Sequence, residues 1–88
     1  MQKGLTSAQI RAARALIRWR AEDLARASEV GVATIRRAEL AETITTMTAA
    51  NDSAVRHALE SAGVEFIEEN GGGPGVRLRK RQRPKKQK

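Results

Sequence analysis

The spacing of apolar residues changes once along this chain, near residue 63, and the change separates a helical part from a hairpin. Ile10, Ala13, Leu16 and Ile17 recur at helical spacing, which predicts a first helix over residues 8–19. Thr6 and Gln9 stand at capping-box spacing ahead of it, with Leu5 and Ile10 placed as a hydrophobic staple. A second helix is expected over 21–28, where Glu22 and Asp23 lie in the first turn and suit the helix dipole. A third is expected over 32–40, and Leu24, Val30, Ile35 and Ala38 supply the inward positions of this pair. Residues 41–47 are threonine-rich, lack helical period and read as a connection. Thr48 is placed to cap a fourth helix with the stripe Val55, Ala58, Leu59 and Ala62, and Gly63 is placed as its left-handed C-terminal cap.

Beyond Gly63 the apolar residues alternate with charged ones. Val64 and Phe66 begin a strand that runs through Ile67, residues 70–75 (Asn-Gly-Gly-Gly-Pro-Gly) form a turn, and residues 76–79 alternate again. This pattern predicts a β-hairpin. The glycines do not fit a phosphate-binding loop, because no helix and no Lys-Ser/Thr pair follows them.

Charge is distributed unevenly. The net charge is +7, yet residues 1–76 hold nine basic and ten acidic groups, whereas residues 77–88 hold eight basic groups and no acid. A near-neutral domain over 5–79 with a flexible basic tail over 80–88 is therefore expected. Eighty-eight residues allow one modest core and disfavour a deep substrate cleft. With no cysteine and a single histidine, His57, neither a disulfide framework nor a typical zinc site is available. No serine, carboxylate or histidine spacing pairs a nucleophile with a base, so no enzyme, cofactor or metal is expected. No apolar run reaches membrane-spanning length and no secretion signal opens the chain, which leads to an expectation of a cytoplasmic protein. Arg11, Arg14 and Arg18 share one helical face and read as a solvated row, with phosphate contact as the alternative.

Residues 21–40 carry a more specific pattern. Two short helices that meet at a steep angle need a small residue at their contact, and Ala25 stands four places after Ala21. Leu24, Val30, Ile35 and Ala38 occupy the apolar places of a helix-turn-helix. Three stretches of the chain also look familiar: Arg-Ala-Ala-Arg-Ala-Leu-Ile-Arg-Trp at 11–19, Glu-Asp-Leu-Ala-Arg-Ala at 22–27, and Ala-Thr-Ile-Arg-Arg-Ala-Glu at 33–39. Together they resemble the Xre-type, lambda-repressor-like helix-turn-helix regulators. The ending at 62–79 is similar to a compact subset of that family that closes with a β-hairpin.

The resemblance implies a mainly α, four-helix lambda-repressor-like domain with a C-terminal β-hairpin, binding double-stranded DNA as a homodimer. It implies that the third helix enters the major groove and presents Val32, Ala33, Arg36 and Arg37, with Gly31 at its N-cap and Thr34 near the backbone. Arg36 or Arg37 would donate two hydrogen bonds to a guanine edge, and Val32 or Ala33 would touch a thymine methyl. Arg81, Arg83, Lys85 and Lys86 of the tail would hold phosphates. The hairpin, through Val64, Phe66, Val76 and Leu78, would form the dimer interface. Where the family has Ser-Gln this chain has Arg20-Ala21, where it has a turn glycine this chain has Glu29, and Val32 replaces a polar reader.

Two functions are thus carried forward. One is a sequence-specific transcriptional regulator, a repressor or autoregulator. The other is a protein-interaction module of antiactivator or antitoxin type that keeps the fold with little specific DNA binding. RNA binding is disfavoured, because one tryptophan and one phenylalanine make no stacking platform.

Overall fold

In the computed structural model, which describes residues 4–42, 44–69 and 71–79, local capping signals set where most elements begin. Helix α1 (Ser7–Ile17) starts on a reciprocal capping box. Thr6 Oγ1 accepts from the Gln9 N–H at 3.0 Å, and Gln9 Oε1 accepts from the Thr6 N–H at 3.0 Å. Leu5 and Ile10 are both buried beside it, as a staple requires. The helix stops two residues earlier than its apolar period suggests. Arg18 turns left-handed at φ 61°, and the Trp19 N–H returns to Arg14 O at 2.9 Å.

Helix α2 (Ala21–Ser28) is held at its first turn by Asp23, whose carboxylate accepts from the Arg20 N–H at 2.8 Å. Three residues then connect it to α3 (Val32–Glu39). Glu29 sits at φ 62° with its N–H bonded to Ala25 O at 2.8 Å, and Gly31 is the N-cap. Helix α4 (Ala49–Ser61) begins where Thr48 Oγ1 accepts from the Asn51 N–H at 3.1 Å, and Gly63 follows it at φ 109°. Strands β1 (Val64–Ile67) and β2 (Gly75–Leu78) pair antiparallel with Val64 opposite Leu78 and Phe66 opposite Val76. β2 thus starts and ends one residue earlier than the alternation predicts.

The architecture is four helices and one two-stranded hairpin, mainly α. Helix α2 packs on α3 and α4, while α1 lies between α3 and the hairpin. Leu24, Val30, Ile35 and Ala38 are all buried in a core shared with Ile10, Ala13, Val55 and Leu59. The connection after α3 returns to the N-terminus, where the Thr45 N–H donates to Leu5 O at 3.2 Å. Among the described residues no helix is long and apolar enough to cross a membrane.

Two apolar expectations are corrected. Leu16 is 39% exposed. At about 100° per residue it lies about 120° around the helix from Ile10 and about 60° from Ala13, at the margin of the buried side. Leu78 is 51% exposed although Val64 opposite it is fully buried. Of the two strands, helix α4 packs on β1, so it covers Val64 and leaves the end of β2 open.

Candidate nucleic-acid interface

Helix α3 has two unlike faces. Ile35 and Ala38 point into the core, while Ala33, Arg36, Arg37 and Leu40 are exposed at i, i+3, i+4 and i+7, one line along the helix and its cap. Leu40 is 83% exposed. Gly31 is exposed at the N-cap with open space around the position of a Cβ, and its φ of −59° makes no demand for glycine. Thr34 is half-buried. Val32, expected as a reading residue, is half-buried, with part of its side chain packed on the core. The apolar group left at the start of the outward face is Ala33.

The two arginines of this face stand differently. Arg36 Nη2 is ion-paired with Glu22 Oε2 across the α2–α3 junction. The Glu22 carboxyl is held below its ordinary range, first by its own backbone N–H and then by Arg36. Arg37 has no carboxylate partner among the described residues; its Nη2 reaches Thr34 Oγ1 at 3.4 Å. Ala21 is buried and Ala25 half-buried against the core, as small residues at a close helix contact should be.

The expected arginine row on α1 is also corrected. Arg14 does not lie in a solvated line with Arg11 and Arg18. Its Nε and Nη2 donate to the two carboxylate oxygens of Glu39 at 2.6 and 2.7 Å, and Nη1 donates to Trp19 O at 2.9 Å. The Glu39 side chain is only 9% exposed. The hydrogen bonds that Arg14 donates to Glu39 raise the Arg14 pKa further above its already high value. This pair ties α1 to the end of α3 and fixes the direction of the outward face. Arg14 and Glu39 are 25 residues apart, and Glu22 and Arg36 are 14 apart, so no local spacing rule finds either pair. For Glu22 and Arg36 the expected packing of α2 on α3 is the one usable signal; Arg14 and Glu39 have none.

Of the other expected residues, Val64 is buried, Phe66 and Val76 pack half-buried on the core, and Leu78 is open. Arg56 lies over the Phe66 ring at 5.1 Å. Glu65 and Arg77 pair across the hairpin at 3.0 Å on its other face. Arg81, Arg83, Lys85 and Lys86 lie outside the described residues. His57 is exposed, and among the described residues no group of three or more His, Asp or Glu could hold a metal ion. All ten cations of the described residues are arginines, balanced by ten acidic groups. No model of a known protein family matches this chain, and no curated protein matches it either.

Proposed function

We propose that this chain is a sequence-specific DNA-binding regulator of transcription, a repressor or autoregulator with a helix-turn-helix formed by α2 and α3. The observation that carries the reading is the outward line Ala33, Arg36 and Arg37 on a helix whose opposite side is locked into the core. A helix about 10–12 Å across with its side chains fits a major groove about 12 Å wide. Such a face offers what base reading needs: guanidinium forks for the O6 and N7 of guanine and a small apolar group for a thymine methyl. The exposed N-cap Gly31 lets the backbone approach closely. Cations of residues 80–88 add phosphate contacts that carry no sequence information. In this reading two copies join through the hairpin, as double-stranded DNA with two-fold symmetry favours.

The test is selection of bound duplexes from a randomised pool, followed by the same selection with Arg37→Ala. The intact chain enriches a defined site. The variant loses preference at one base position and binds the best site about 1–3 kcal/mol more weakly. A loss spread evenly over all sequences would make Arg37 a phosphate contact instead.

A second reading, an interaction module that docks a protein through the same face, is favoured by one observation. Leu40 ends the outward line and is 83% exposed, an apolar group that a protein partner would cover better than DNA. An intact chain that enriches no sequence and holds no duplex would select this reading.

A further inference from the structure

Glu22 is the second residue of α2 and Arg36 the fifth of α3, and their ion pair joins the two helices on the surface, with side chains 48% and 55% exposed. An exposed pair of this kind contributes little to folding. A carboxylate beside a surface meant for a polyanion also opposes the approach of that polyanion. Its effect on Arg36 is more specific. The pair offsets part of the charge of the guanidinium but engages one nitrogen, Nη2, so donors remain on the others. A phosphate attracts a guanidinium chiefly by charge, at every sequence. A guanine edge takes two hydrogen bonds in a fixed geometry, and only where guanine occurs.

We propose that Glu22 is a positioning residue for DNA recognition: it holds the Arg36 guanidinium, its charge partly offset, away from the phosphates, so that Arg36 adds affinity chiefly where a guanine edge meets its remaining donors. Arg37, with no carboxylate partner among the described residues, carries no such restraint, so the effect belongs to Arg36. The inference rests on the DNA-binding reading above. It also accounts for an acidic residue at this place: Glu22 limits binding to the wrong sequences.

The experiment uses the full chain, with duplexes selected from a randomised pool and the unselected pool as the two probes, each titrated over a salt series. Glu22→Gln is expected to bind the unselected pool roughly fivefold tighter near ~0.1 M salt, with a log–log salt slope steeper by about 0.9. The ratio of selected to unselected binding falls by about the same factor. In an Arg36→Ala background, Glu22→Gln still removes a repulsive charge, but it shifts both probes equally and leaves the ratio unchanged. Thermal melting by circular dichroism confirms that the variants stay folded. A ratio unaltered by Glu22→Gln when Arg36 is present overturns the inference, since Glu22 then acts as a plain charge. So does a ratio that falls equally without Arg36. If the wild-type chain holds neither probe at any salt, the DNA-binding reading fails and takes the inference with it, an outcome separate from the other two.

Discussion

Glu29 occupies a left-handed backbone at φ 62°, a conformation in which a side chain with a Cβ is strained by roughly 1–2 kcal/mol. Its N–H closes α2 on Ala25 O, so the turn into α3 depends on that conformation. Glu29→Gly relieves the strain, although glycine loses more chain entropy on folding. A net gain of about 0.5–1 kcal/mol is expected, seen as a higher urea midpoint with an unchanged m-value. This strain was legible in the sequence, because a turn glycine belongs at that place in the pattern that the chain resembles. Arg18, at φ 61°, gave no such sign: the apolar period ran on to Trp19, and only the bond from the Trp19 N–H to Arg14 O shows why the helix stops. Val32, at the start of α3, is half-buried, because an apolar β-branched side chain gains by turning partly toward the core.

At the scale of elements, caps and periods were the readable part. Thr6 with Gln9, Thr48 and Gly63 each mark a boundary that the chain obeys, since each satisfies backbone groups that the helix ends leave open. The order of four helices and a hairpin followed from the same signals. What could not be read is how the elements are fastened to one another, because that depends on pairs far apart in sequence. The Arg14–Glu39 pair is the strongest of these, two-pronged and largely out of solvent. Glu39→Ala leaves a guanidinium with 22% exposure and no carboxylate, and it is expected to lower stability by about 2–4 kcal/mol in chemical denaturation. Arg14→Ala should cost a similar amount, and the double variant less than the sum of the two, because they share one interaction.

For the molecule as a whole, the open question is what covers the edge of β2. The Arg79 N–H donates to Gly63 O at 2.7 Å, so in an antiparallel ladder the bonded pairs are 65 with 77 and 67 with 75. The N–H and C=O groups of Val76 and Leu78 then point away from β1, and none finds a partner among the described residues. Half-exposed Leu78 lies on the same edge. A strand with open groups and an apolar side chain invites another strand, and a second hairpin related by a two-fold axis would supply one. If two copies join along this edge, as proposed above, the intact chain sediments as a dimer and Leu78→Lys as a monomer with the fold intact, since this side chain contributes little to the core. A variant that remains dimeric would place the interface elsewhere. The hairpin was readable from alternation alone; its exposed end was not, because alternation assigns a face and does not show which helix covers it.

The bond from Gln9 Nε2 to Gly75 O spans 66 residues, and it joins the first helix to the last strand. Helix α1 is packed between α3 and that strand, so its inner side is not complete until β2 is in place. The contacts of α1 with α3 can form earlier than those with β2, which lie much further along the chain. Closing a span of 66 residues costs chain entropy before the α1–β2 contacts form, which slows folding relative to a bundle built only from neighbouring helices.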